Sequence, residues 1–436
     1  MKRITLLVAV LFIFSALSVF AAGASQSKGG SAAGAASPTL QFIHIWPEHQ
    51  ATMEDTVKMI ENKYGFKINL SVVPWNEITR TIQTALTSGD MYDAFFEWGS
   101  QTPGYVQIGA VMNLQPYFDA DPAWKNSYLS ANVFKDDGFL VNGNIYGIPF
   151  RGTGTFMLYD KTLFDQKGYA IPKTQEELVT LMDRMLADGI TPIASEGTPH
   201  GGKVEYVRRS IEDYMLLANN LLALPDNLNG RMLDYKGIKA QAAEKTRDWY
   251  NKGYFGRTPF GVEREEAQTL FFSGKAGMLW CNNNELMDLR NAEKQAGIQI
   301  DSFQWPPTAA ASVTIGYAGM NDGMAVWSGT KYKDQAANIM KGLAMPEVQK
   351  MWGDRAYSVM PGKNINYSDP LLVKWANEFA NMTRFNYVYN YNAGTQDDDV
   401  ADYFVDFVLN PTITGAQYAA KFAEIRQASI ANSGAN

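Results

Sequence analysis

The chain has 436 residues, 46% apolar and 19% charged, with a formal net charge of −7 and a mean hydropathy of −0.23. That length accommodates two or three domains of ~150 residues each, and the acidic balance argues against nucleic acid as a partner, because phosphate contacts need a basic face. The lone cysteine, Cys281, excludes an intramolecular disulfide and a cysteine-rich zinc site.

Residues 1–24 read as a secretory signal peptide. Lys2 and Arg3 are basic, Ile4–Phe20 is apolar apart from Thr5, Ser15 and Ser18, and small residues follow at Ala21–Ala24, suiting cleavage after Ala21 or Ala24. Losing Lys2 and Arg3 takes the charge from −7 to about −9. No cysteine lies near that end to carry a lipid, so a free periplasmic protein is expected. Residues 25–37 are Gly/Ser/Ala-rich, a disordered tether. No other apolar run reaches the ~18 residues that would span a bilayer.

The folded part opens with a buried strand, Leu40–Ile45, ending at Trp46-Pro47-Glu48-His49. A helix from Ala51 to Tyr64 follows, with Met53, Val57 and Ile60 on one face, then strand Lys67–Val73, helix Asn76–Leu86, strand Tyr92–Trp98 and a loop Gly99–Pro103. This order gives a mostly parallel sheet with helices on both faces, whose ligands sit at the carboxyl ends of strands. The next stretch, Asn144–Lys161, has two β-type runs, Ile145–Phe150 and Thr155–Tyr159, around Arg151-Gly-Thr-Gly154. It reads as a strand, a glycine break and a second strand, either an ordinary bulged hairpin or a hinge strand passing between two bodies. Beyond it come a helix capped by Thr174 with Glu177, helices Val204–Leu222 and Lys236–Lys252, a turn and strand over Phe271–Asn284, and strand Ile298–Trp305. A glycine-broken apolar run, Val313–Trp327, is a second candidate crossing. Helices Lys333–Leu343, Glu347–Trp352 and Pro370–Met382 follow, then an aromatic loop with Phe385, Tyr387, Tyr389 and Tyr391, and helices Val400–Leu409 and Ala416–Ile430.

Catalytic patterns are missing. There is no HExxH, no phosphate-binding GxxxxGK[ST] and no GxSxG. Asp397–Asp399 lacks calcium-loop spacing and suits a helix start, where carboxylates meet the positive dipole end. Glu263, Glu265 and Glu266 precede a helix and read as exposed surface. No cofactor is expected. The prominent feature is aromatic: 10 Trp, 22 Tyr and 23 Phe. Several tryptophans sit at strand ends beside polar residues, and aromatic walls with a few convergent polar groups make a small-molecule cleft. Trp46, Trp98 and Trp280, then Trp305 and Tyr387, are the candidates for stacking on sugar rings. Glu48, His49, Glu97, Gln101, Arg151, Asn282, Asn283 and Glu285 are candidates for bonding their hydroxyls. Trp75, after the strand end at Pro74, either lines the cleft or packs under the helix that it begins.

Several stretches resemble the sugar-binding family of ABC-transporter solute-binding proteins, which includes maltose-binding protein: SGDMYDAFFEWGS (Ser88–Ser100), NIYGIPF (Asn144–Phe150) with LYDKTLFDQKGYAIPKTQEEL (Leu158–Leu178), FFSGKAGMLW (Phe271–Trp280), and the segment Lys331–Asn364. Tyr92 stands where the family usually has proline and Asp160 where asparagine is common. Ser100, Gln101 and the Arg151–Thr153 stretch differ from the ligand residues of maltose-binding protein, so maltose is not carried over. The resemblance implies a two-lobe periplasmic-binding-protein fold of the second type, with two α/β lobes joined by hinge strands. It places lobe one at 38–151 and 319–361 and lobe two at 152–318 and 362–436. It also implies a monomer that captures a carbohydrate between the lobes and docks on ABC permease subunits in the inner membrane, and no enzymatic activity. A polyamine, held by Glu48, Glu97 and Glu285 beside aromatic faces, is the alternative ligand; a secreted glycosidase is a further one.

Overall fold

The computed structural model describes residues 37–129, 138–198, 237–256, 259–308, 315–381, 383–384 and 397–432, with isolated residues between them such as Phe134 and Arg208. The signal peptide, nearly all of the tether, the predicted helix Val204–Leu222 for the most part, and the aromatic loop with Tyr387 lie outside the described residues.

The first strands match the sequence reading closely. β1 is Thr39–His44, α1 Gln50–Tyr64, β2 Lys67–Val72, α2 Ile78–Ser88 and β3 Ala94–Trp98. α1 buries Met53, Val57 and Ile60 and stops at Gly65, whose φ of 77° a residue with a side chain would adopt only under strain. The predicted loop Gly99–Pro103 is instead a 3-10 turn, Gly99–Gln101, running into a short helix α3, Thr102–Gln107; Pro103 fits there because a first-turn N–H has no intrahelical acceptor.

The central stretch differs from its expectation. Gly147–Asp160 forms one unbroken strand, β4, rather than two separated by Arg151–Gly154. The glycines permit close packing at the crossing, where the strand continues although its ladder to the neighbouring strand Ile315–Val326 shifts register. The rest of the sheet is β5 (Thr191–Ser195), β6 (Ala276–Asn282), β7 (Ile300–Phe303), β8 (Ile315–Val326) and a two-residue strand, Thr383–Arg384, that pairs parallel with β8. The strand order is β2-β1-β3-β8-β4-β6-β5, with β7 also on β4. β1 pairs parallel with β2 and β3, and β5 parallel with β6. The two long strands enter antiparallel: β8 lies against β3 from Val326 to Asp322, and against β4 from Ala325↔Gly147 to Tyr317↔Thr155. From Thr155 onward β4 pairs with β6. One strand therefore leaves the β1–β3 wing and becomes the spine of the β5–β6 wing. β8 runs the reverse course, with register shifts on either side of Asp322.

Helices cover both wings. Phe156 and Leu158 of β4 belong to a large apolar cluster with Trp352 and Trp375, while Met157 and Tyr159 face a second cluster with Trp249, Trp280 and Trp305. Alternation along one strand thus feeds two cores. Helix Gln175–Ala187 begins as the sequence suggests: the Thr174 hydroxyl accepts from the Glu177 N–H, although the Glu177 carboxylate takes the N–H of Lys173 instead of Thr174.

At the crossing, Gly152 bridges to Val359, and a Cβ on it would lie 2.8 Å from Phe379, 2.9 Å from the Met320 sulfur and 2.9 Å from the Val359 carbonyl oxygen. Gly152→Ala is expected to destabilise the protein by about 1–3 kcal/mol through overpacking, read as a lower urea midpoint with an unchanged denaturant slope; an unaltered midpoint would show that this contact yields freely.

Candidate functional site

The carboxyl ends of β1 and β3 meet β4 and β8 where those strands cross, and there several predicted site residues converge. Trp46, just beyond β1, is buried at 3% exposure. Its ring meets Phe96 and Trp352 edge-on at 5.4 and 5.3 Å and lies beneath the Arg151 guanidinium, 5.6 Å from the ring centroid. His49 packs edge-on against Trp352, and its Nε2 lies 3.9 Å from the exposed Glu48 carboxylate. Burial, helped by the charge of Arg151, pushes the His49 imidazole down to about 4, so it is neutral at physiological pH. Trp98 is half-buried at the end of β3, edge-on to Phe96 at 5.0 Å.

Arg151 holds the centre. It is only 2% exposed, its Nε has no hydrogen-bond partner, and among the described residues its guanidinium makes no hydrogen bond or close ion pair. Burial disfavours its charge, opposed by the fields of Asp322 and Glu48. Asp322 was not among the predicted site residues. In the sheet it stands opposite both Trp98 and Arg151. Burial pushes its carboxyl up to about 6, with Arg151, Thr153 and the Trp98 side chain favouring the charged form. The sequence did carry a signal for it: Asp322 is the one charged residue in the apolar run Val313–Trp327. A buried arginine under-supplied with acceptors, a buried aspartate and two tryptophans make a site that can both donate to and accept from a polar ligand lying on an apolar wall.

Other predicted site residues have structural work. The Asn283 side chain accepts from Gly154 N–H at 2.6 Å and donates to the Gly152 carbonyl at 2.9 Å, tying the end of β6 to the crossing strand. Asn282 and Glu285 form a capping box: the Asn282 side chain accepts from Asn284 N–H and the Glu285 carboxylate from Asn282 N–H. Glu285 also accepts from Gln268 and lies 3.6 Å from Arg264. Trp280 and Trp305 pack on each other at 5.2 Å inside the second core, with Trp305 stacked on Trp249. Gln101 donates to Thr79 at 3.1 Å. Tyr387 lies outside the described residues.

Glu97 is wholly buried rather than facing a cleft. One carboxyl oxygen accepts from the Thr102 hydroxyl at 3.0 Å and the other has no partner; Gly147 and Phe139 close over it. Burial pushes its carboxyl from 4.5 up to about 8. Above 4.5 the unfolded chain has released this proton while the folded chain keeps it until about 8, so stability falls as pH rises through that range. His44 and His49, pushed down from 6.5 to about 4, act in the opposite sense but only below 6.5. The Asp322 contribution ends near 6. Between pH 6.5 and 8 the unfolding free energy is therefore expected to fall by up to about 1.4 kcal/mol per pH unit, and Glu97→Gln to remove that slope, as read from urea unfolding at a series of pH values. Equal slopes in both proteins would show that Glu97 is ionised in the fold.

A family model for bacterial extracellular solute-binding proteins matches residues 55–376. The diacetylchitobiose binding protein DasA of Streptomyces coelicolor is 25% identical over 385 residues, 83% of each chain. The multiple sugar-binding protein of Streptococcus mutans is 28% identical over 185 residues, 40% of this chain and 39% of that one. Among solved structures, the sugar-binding protein MalE from Xanthomonas citri superposes with a TM-score of 0.72 at 15% identity, covering 91% of this chain and 98% of that one. That likeness gives the fold as the two-lobe α/β architecture, with β4 and β8 as the strands that pass from one wing of the sheet to the other. With three quarters of its length under the family model, the chain belongs to the bacterial extracellular solute-binding proteins.

Proposed function

We propose that this protein is the substrate-binding subunit of an ABC importer, capturing a carbohydrate between two lobes and delivering it to the membrane permease. The observation that carries the reading is the convergence of Trp46, Trp98, Arg151 and Asp322 at the strand crossing. The half-buried Trp98 supplies apolar contact for the C–H face of a sugar, Trp46 packs beneath Arg151 and positions it, and the arginine donates to the sugar hydroxyls while the aspartate accepts from them. The names of the relatives, a diacetylchitobiose binding protein and a multiple sugar-binding protein, agree with that chemistry.

The lobes are 38–151 with 319–361, and 152–318 with 362–436. The change of partner along β4, from β8 before Thr155 to β6 after it, supports a boundary at Gly152. Ligand bridging the two lobes favours the closed state by its differential affinity for that state. The protein acts as a monomer in the periplasm after removal of residues 1–24, and binds without turnover. The polyamine reading is weaker because its carboxylates do not assemble: Glu97 is enclosed and neutral near pH 7, and Glu285 caps a helix.

The test is a thermal-shift screen of the chain from Ser25 against mono- and oligosaccharides, sugar phosphates and polyamines, followed by calorimetric titration. A saturable rise in melting temperature with one class of saccharide and no product is the expected result. Trp98→Ala is expected to weaken that binding by up to about tenfold, the worth of one stacked aromatic ring. A shift with polyamines alone, or release of a cleaved sugar, would overturn the proposal.

A further inference from the structure

Three parallel strands end along one edge of the sheet in the order β2, β1, β3, and each end carries a tryptophan: Trp75 beyond β2, Trp46 beyond β1 and Trp98 at the end of β3. This is the edge at which ligands of parallel α/β sheets bind. The three rings differ in setting. Trp46 is a floor at 3% exposure, roofed by Arg151; Trp98 is half-buried beside Asp322; Trp75 is 53% exposed, on the strand farthest from the crossing. A tryptophan that exposed adds little to a core.

Its position is nevertheless fixed. Pro74 restricts the backbone, and the Glu77 N–H donates to the Pro74 carbonyl at 2.9 Å, closing a tight turn around Trp75. α2 starts directly after that turn, and its first-turn Thr79 takes the hydrogen bond of Gln101, which stands beyond β3. The two outer corners of the edge are thus tied across β1. Neighbouring strands lie about 4.8 Å apart, so the row from β2 to β3 spans about 10 Å, more than one pyranose ring covers.

We propose that Trp75 forms an outer subsite that stacks on a further sugar ring, so that the protein takes oligosaccharides in preference to monosaccharides. The inner ring lies at Trp98, Arg151 and Asp322, and the chain extends outward over β1 toward β2. The inference rests on the carbohydrate reading above and adds ligand length and direction to it.

The test compares wild type with Trp75→Ala and Trp75→Tyr by calorimetric titration with glucose, xylose and N-acetylglucosamine and their linear oligomers up to the pentamer. In the series that binds, wild-type affinity is expected to rise from the monosaccharide to the oligomers. Trp75→Ala is expected to lose about tenfold on the oligomers, with the monosaccharide unchanged, and Trp75→Tyr to recover most of the loss. Because the side chain is exposed, the ligand-free melting temperature of the variants should match wild type. Equal oligomer affinity in wild type and Trp75→Ala would overturn the outer subsite and leave the carbohydrate reading standing, as would an equal loss on monosaccharide and oligomer. Wild type binding no saccharide in these series or in the wider screen would overturn both.

Discussion

The structure depends on the crossing of β4 and β8. Their pairing from Gly147↔Ala325 to Tyr317↔Thr155 makes two groups of parallel strands into a single sheet; β4 is buried over most of its length, and β8 is buried from Asp322 to Val326. In the middle of this apolar ladder stand Arg151 and Asp322, opposite one another, with the register shifted on either side of the aspartate. Burying a charge costs several kcal/mol unless close partners compensate it. Arg151 has only the field of Asp322 and Glu48 and the face of Trp46. Natural sheets put apolar residues in such places, and departures from that consistency concentrate at functional sites. In the proposed function, a ligand would supply the acceptor that the buried Arg151 lacks.

The surrounding packing keeps that region from moving independently of the strands. Gly152 brings the β4 backbone against Val359, Phe379 and Met320, and Asn283 ties Gly152 and Gly154 to the end of β6. A side chain at Gly152 or a shorter one at position 283 would shift the backbone that carries Arg151. The neutral Glu97 plays a similar part on the other side. It fills space over Gly147 beneath Phe139, and as an uncharged acid it does so without bringing a second anion close to the crossing. The site charges thus come from few residues, and the strands that position them are fixed by uncharged packing and backbone hydrogen bonds.

Much of the fold is legible in the sequence because its first half alternates clearly between helix-spaced and strand-spaced apolar residues; β1, α1, β2, α2 and β3 fall within a few residues of their expected bounds. The glycine-broken run Val313–Trp327 marked β8 as a second crossing, and the family resemblance supplied which wing it returns to. Side-chain direction was less legible. β6 is buried on both faces from Ala276 to Cys281, so nothing in its pattern separates a tryptophan facing a core from one facing a cleft, and Trp280 packs on Trp305. β3 is buried throughout Ala94–Glu97, which hides a carboxyl where sequence reasoning expects exposure or a ligand. Asn282 and Glu285 were readable: their N-x-x-E spacing is the capping-box pattern that the sequence also shows at Thr174 and Glu177.

The arrangement also bears on discrimination. A site that relies on apolar area alone separates ligands weakly, whereas one with buried polar groups rejects a ligand that leaves them unpaired. Arg151 and Asp322 are each almost fully buried, stand opposite in the sheet, and are not joined by a close ion pair. Had they been joined, each would satisfy the other and the site would be indifferent to what lay above it. Held apart, they differ: Asp322 accepts from the Trp98 side chain, while the Arg151 Nε keeps a donor without a partner. On the proposed function, Trp98 would make the ligand's apolar face favourable, and the unpartnered Arg151 donor would make the placement of its polar groups decisive.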